Sequence, residues 1–176
     1  MASGLKRKPE SGDDPFAFSR RTERDLRAAK WLPGRKVDGS IYERAYQEED
    51  ALLLPTSRDF LSRYGSLIIP YEDHAGNRDV LEFCADDAVR GMGSGGLHQV
   101  ERLLGVCPLC PIGHYQFGTC MLLQDATGRV FGVSDDATSF LGASGEEAIE
   151  NILSGREPRM IRSEFLHENP GSKGGK

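Results

Sequence analysis

The chain has 176 residues, 38% hydrophobic and 28% charged, which describes one globular domain with hydrophilic ends and excludes fibrous and low-complexity classes. No apolar run approaches the roughly 20 residues that cross a bilayer. The start, MASGLKRKPESGDDP, has no apolar segment behind its basic residues, so neither a membrane partner nor a signal peptide is read and the predicted compartment is the cytoplasm. The net charge of −5 hides a split: residues 1–36 hold ten Lys/Arg against five Asp/Glu, leaving about −10 on the rest, a sign that repels nucleic acid and steers cationic proteins inward.

Residues 1–18 are rich in Gly, Ser, Pro and charge and bury too little apolar surface to offset the entropy of ordering them, so they read as a disordered arm. Thr22 is the predicted cap of a helix running to about Lys30, with Leu26 and Ala29 on one face. Pro33 and Gly34 end it, beside Trp31, which reads as an anchor onto the core. Residues 41–53 have Ile41, Tyr42, Ala45, Tyr46 and Leu53 at roughly helical spacing. A third helix starts at Pro55, a residue that suits a first helical turn, turns Phe60, Leu61 and Tyr64 inward and stops at Gly65.

The period then changes. Residues 66–70 read as a strand bounded by Pro70, 73–77 as a turn, and 79–83 as a half-buried strand with Leu81 and Phe83 on one face. Gly91-Met92-Gly93-Ser94-Gly95-Gly96 reads as a flexible connector, and 97–104 as a short helix closed by Gly105. The chain turns back on itself most clearly between 119 and 133. Thr119 to Gln124 is an apolar run, Asp125-Ala126-Thr127-Gly128 is turn chemistry, and 129–133 is a second run. This predicts a β-hairpin central to the sheet, with its first strand covered on both faces. Ser144 with Glu147 three residues on is a capping box opening a last helix, whose buried stripe is Ala148, Ile149, Ile152 and Leu153 and whose end is Gly155. Helices first, strands in the middle and a closing helix predict an α+β fold: a central, mostly antiparallel or mixed sheet packed by N-terminal helices and a C-terminal helix. The predicted domain spans 19–158, with 159–176 as a second tail.

Candidate chemistry is sparse. Cys107-Pro108-Leu109-Cys110 has the spacing of half a zinc site, but no second pair follows. A zinc deaminase signature fails on spacing and order at His98 and Glu101. No metal and no cofactor are therefore expected; if a metal is held at all, Cys107 and Cys110 are its ligands. The four cysteines, in a chain without an export signal, read as reduced thiols. The glycine run lacks the Gly-Lys-Ser/Thr of a phosphate loop, and no nucleophile elbow appears. The chain does not read as an enzyme.

Five motifs in order, Trp31-Leu32-Pro33-Gly34-Arg35-Lys36-Val37-Asp38, Phe60-Leu61-Ser62-Arg63-Tyr64-Gly65-Ser66-Leu67, Leu109-Cys110-Pro111-Ile112-Gly113, Asp125-Ala126-Thr127-Gly128-Arg129-Val130-Phe131 and Glu146-Glu147-Ala148-Ile149 with Gly155, resemble the third subfamily of the SUKH superfamily of bacterial immunity proteins. One departure is Ser66, where the pattern expects a second glycine. The resemblance implies a SUKH-like α+β fold and a non-catalytic protein that binds and neutralises a cognate polymorphic toxin, a nuclease or deaminase, inside the producing or kin cell. The alternatives are a regulatory interaction module of the same fold and a small zinc-binding enzyme. With the charge split, the resemblance points to Asp86, Asp87, Asp135 and Asp136 as partner contacts, in polar connectors that follow strands.

Overall fold

Strands supplied by the middle of the chain lie side by side in chain order. The computed structural model describes residues 16–73 and 75–162. Within them β1 (Ile68–Glu72), β2 (Arg78–Glu82), β3 (Leu109–Tyr115), β4 (Cys120–Asp125), β5 (Val130–Val133), β6 (Thr138–Gly142) and β7 (Arg159–Arg162) form one sheet. Every pairing is antiparallel. Helices α1 (Arg20–Ala28), α2 (Glu43–Glu48), α3 (Pro55–Tyr64), α4 (Ala85–Leu104) and α5 (Gly145–Leu153) complete an α+β fold.

Successive side chains of a strand point to opposite faces, and β4, in the middle of the order, uses both. Cys120 and Leu122 join a core with Leu26 of α1, Tyr46 of α2, Phe60, Leu61 and Tyr64 of α3 and Ile149 and Leu153 of α5. Leu123 joins Leu109 and Phe131 under Leu97 and Val100 of α4. The predicted covering of this strand on both faces is observed. Trp31 is 3% exposed and stacks on Tyr64 at 5.9 Å, and Phe60 and Phe83 continue the aromatic cluster. Each such ring contributes about 1.5–3 kcal/mol by leaving water. An ion pair between Arg63 and Glu146 ties α3 to α5, and the Tyr46 hydroxyl donates to the Pro111 carbonyl.

The predicted hairpin forms as read. Asp125 Oδ1 accepts from the Thr127 N–H at 2.9 Å, the Gly128 N–H closes on the Asp125 carbonyl at 3.0 Å, and Gly128 takes φ 93°. The Ser144 cap also forms, with the reciprocal bond shifted to the residue before the cap. Ser144 Oγ accepts from the Glu147 N–H, while the Glu147 carboxylate reaches back to the Ala143 N–H.

Several boundaries differ from the sequence reading. Ser19, not Thr22, caps α1: its Oγ accepts the Thr22 N–H, and Thr22 is buried inside the helix. The predicted helix over 41–53 divides into a 3-10 turn, Gly39–Tyr42, and the short α2. Asp50, at φ 52°, lies just beyond the end of α2, and Ile41, in the 3-10 turn, is 56% exposed. Strand β1 starts at Ile68 because Ser66 has φ 61°, the conformation that the expected glycine would adopt with less strain. Pro70 lies within β1, not at its end; β1 is an edge strand, where a missing N–H breaks no ladder.

The largest difference is the glycine-rich segment, which is no loop. It lies inside α4, whose helical path breaks only at Gly93 (φ 59°, ψ 162°), a backbone conformation open essentially to glycine alone. Ala85 and Val89 before the break join the core shared with α1, α2, α3 and α5; Leu97 and Val100 after it pack in the other core. The break therefore lets one helix serve both faces of the sheet.

At the ends, β7 pairs with β6 beyond the predicted boundary at 158, and Phe18 packs edge-on against Trp31 at 5.8 Å. Residues 1–15 of the predicted arm, and the tail after Arg162, lie outside the described residues. Among the described residues no helix is long and apolar enough to cross a membrane.

Candidate partner-binding site

A meander returns every second connection to the same end of its sheet, so three turns meet here at one end: 73–77 after β1, 116–119 after β3 and 134–137 after β5. Each is built differently. In the first, Asp73 Oδ1 accepts the N–H groups of Ala75 and Asn77, both at 2.8 Å. The third closes when the Ser134 N–H donates to the Ala137 carbonyl at 2.9 Å.

The second breaks the ordinary rules of turn composition. Gln116 (φ 55°), Phe117 (φ 51°) and Gly118 (φ 81°) are successive left-handed residues, and only the glycine is at ease there. The Thr119 N–H and hydroxyl both donate to the Gln116 carbonyl, at 3.1 and 2.7 Å. The tip is also held from outside by Asp79 of β2. That carboxylate, 8% exposed, accepts from the Phe117 N–H at 3.0 Å, the Val80 N–H at 2.6 Å and the Tyr71 hydroxyl at 2.8 Å. Burial, then the Asp79 hydrogen bond, drives the Tyr71 pKa well above the usual phenol range. The result is a Phe117 ring 72% exposed at the crest of the tip.

Concavities flank this tip. A cleft of about 280 Å³ on the α4 side is lined by Met92, Leu103, Met121, Val133, Thr119 and Asp135. On the α1 side a cleft of about 590 Å³ has Arg21, Arg24, Arg78, Glu72 and Phe117 in its walls. A third, of about 220 Å³, lies under the α5–β7 connection against Tyr71, Asp79, Tyr115 and Asn151.

The four aspartates singled out in the sequence separate into two pairs. Asp135 and Asp136 are exposed in the β5–β6 connection, with Asp135 in the wall of the α4-side cleft. Asp86 and Asp87 are not in a connector: both sit in the first turn of α4, where carboxylates offset the positive end of the helix dipole. The short distance from β2 to this helix, with no turn residues between, is what the sequence reading mistook. One Asp86 oxygen is buried without a hydrogen-bond partner. With burial first, then Glu82, Asp87 and Asp86, it helps raise the Cys84 pKa.

Cys107 is exposed after α4, while Cys110 is fully buried in β3. Burial raises the Cys110 pKa, slight desolvation and the neighbouring Glu101 carboxylate raise that of the exposed Cys107, and burial lifts Cys120 to about 11. Protonated thiols are poor nucleophiles. All four cysteines are unpaired, and among the described residues no three His, Cys, Asp or Glu side chains group as metal ligands.

Sequence reading missed Phe117, Gln116 and Asp79. The available signal was Phe117-Gly118-Thr119 between two apolar runs, a second turn immediately before the one that was read.

No curated protein and no solved structure gives a significant match to this chain. The family description "SUKH-3 immunity protein" matches residues 18–155, the span from Phe18 on the aromatic cluster to the glycine that ends α5. The chain belongs to the SUKH-3 immunity protein family.

Proposed function

We propose that this protein is a non-catalytic inhibitor that binds a cognate polymorphic toxin, of the nuclease or nucleic-acid deaminase class, in the cytoplasm of the producing or kin bacterial cell. Family membership supports the immunity role. The observation that carries the binding mode is the turn-bearing end of the sheet, where Asp135 and Asp136 stand beside an apolar cleft lined by Met92, Met121 and Val133. Flexible thioether side chains adapt to a partner's surface, and exposed carboxylates steer a cationic one. Toxins that act on nucleic acid carry basic surfaces for that purpose. Cys107 and Cys110 have no part in this reading, and neither a nucleic acid nor a membrane is a partner.

The test is association kinetics with any toxin domain encoded at a neighbouring locus. Changing Asp135 and Asp136 to Asn should slow association about threefold or more at low salt and flatten its salt dependence, with little change in dissociation. Changing Asp86 and Asp87 to Asn should slow it less, because that pair starts a helix. Equal rates for wild type and the Asp135/Asp136 variant would remove these residues from the interface. Failure of the wild type to bind or protect against that toxin would overturn the immunity role.

A further inference from the structure

The most strained backbone among the described residues coincides with one of their most exposed aromatic rings. Gln116 and Phe117 are both left-handed, and a bulky residue in that region is an outlier that persists only where its surroundings impose it. Here they do, through the buried Asp79 carboxylate on the Phe117 N–H. The ring gains nothing inside the molecule from this arrangement: it is 72% exposed, against 2% for Phe60 and Phe83 and 4% for Phe131. A ring set at the tip of a short hairpin, with its backbone fixed from below, loses little freedom on entering a pocket, and such pre-set aromatic side chains are the ones that carry binding energy at interfaces.

We infer that Phe117 is the anchor of the toxin interface, inserting into an apolar pocket of the partner whose rim is cationic where it meets Asp135 and Asp136. This rests on the immunity reading and deepens it. The rim charge follows from the two flanks of the tip. Toward β1, Arg21, Arg24 and Arg78 stand with Asp25, Glu72 and Asp79, charges that offset one another; the Arg21 guanidinium donates to the Glu72 carbonyl and Arg24 pairs with Asp25. Toward β6, Asp135 and the adjacent Asp136 have no cation among the residues lining the cleft. The partner's complementary charge is therefore positive on that side. Asp79 is a positioning residue: it touches the tip's backbone and leaves the ring free.

The experiment uses the full chain and any toxin domain encoded at a neighbouring locus, made catalytically inactive, with Phe117→Asn, Phe117→Tyr and wild type compared. Asn tolerates a left-handed backbone, so Phe117→Asn should keep or raise the melting temperature while raising Kd about tenfold or more. Phe117→Tyr should bind nearly as wild type. Equal Kd for wild type and Phe117→Asn overturns the anchor and leaves the immunity reading standing. A Kd loss accompanied by a fall in melting temperature makes Phe117 a structural residue and also overturns it. A wild-type dimer that Phe117→Asn dissolves, with toxin binding unchanged, assigns the ring to self-association instead. If wild type does not bind the toxin domain, the immunity reading falls and the anchor with it.

Discussion

Strand β4 is entered through one tight turn and left through another, and the two are held in opposite ways. At 125–129 the residues that turn the chain also supply its hydrogen bonds: Asp125 accepts from the N–H groups of Thr127 and Arg129, the Thr127 hydroxyl and the Arg129 guanidinium, and the one left-handed residue is a glycine. At 116–119 two left-handed residues carry side chains, and a carboxylate from β2, 38 positions away in sequence, fixes the crest. The first turn is made of local chemistry organised by a buried carboxylate, Asp125 being 2% exposed beneath the exposed Ala126 and Thr127. The second is sustained by tertiary structure and is directed outward. Strain that serves no packing points to a use outside the fold, the toxin contact proposed for Phe117.

Breaking the self-sufficient turn should cost most. Asp125→Ala removes a buried acceptor and orphans several donors at once, and should lower stability by about 3 kcal/mol, read as a lower urea midpoint at constant m-value. Acid should reproduce part of this loss. Burial raises the Asp125 pKa, but the hydrogen bonds from Thr127 and Arg129 outweigh it and hold the carboxyl below its ordinary 3.8. A group whose folded pKa is depressed contributes stability above its unfolded pKa and loses it as pH falls through the folded value. Wild-type stability should therefore decline from about pH 4 downward, and Asp125→Ala should decline less steeply. Glu101, also lowered because hydrogen bonds from His98 and Leu109 outweigh burial, keeps the variant from losing its acid sensitivity altogether.

Gly128→Val comes next, at about 1–3 kcal/mol. Space is not the obstacle, since a Cβ there would meet nothing within 4 Å; φ 93° is. An unchanged melting temperature would show that the turn relaxes into another form.

These two sites explain how far the sequence could be read. Asp125, Thr127 and Gly128 announce their turn because the groups that satisfy it lie within five residues. The same holds for Ser144 with Glu147 and for Pro55 at the head of α3, and the stripe Ala148, Ile149, Ile152 and Leu153 was legible because its period is that of the helix. Gly93 was misread as a loop: six residues with four glycines look flexible in isolation, and only the presence of two cores on either side of the break requires them to be helical. Asp86 and Asp87 failed likewise, because paired carboxylates look alike in a loop and at a helix start. At Phe117 the sequence carries a turn signal but nothing of the residue's outward setting. Its conformation is dictated by Asp79, and no local pattern records a hydrogen bond between distant positions.

At the tip itself, Asp79→Asn should cost about 1–2 kcal/mol. An amide keeps one acceptor oxygen but turns a donor toward N–H and O–H groups that also donate. The loss should be local, and hydrogen exchange reads it directly: the Phe117 amide should lose protection while amides of β4 and β5 keep theirs. Global loss of protection would mean that Asp79 supports the sheet instead of the tip.

The smallest effect should have the opposite sign. Gln116 is exposed and left-handed at φ 55°, and its carbonyl accepts from the Thr119 N–H and hydroxyl. Gln116→Asn keeps that carbonyl and replaces the side chain with one that occupies the left-handed region several times more readily. Relief of backbone strain should therefore stabilise the protein by about 0.5 kcal/mol, a rise in melting temperature of about 1–2 °C for a chain of this size. Because Asp79 still holds the Phe117 N–H, the ring should keep its place and toxin affinity should not change. A more stable variant with unaltered affinity would separate the strain at Gln116, which the tip merely tolerates, from the strain at Phe117, which presents the ring. A lower melting temperature would show instead that the glutamine side chain helps hold the turn, and that the tip is less dependent on β2 than its geometry implies.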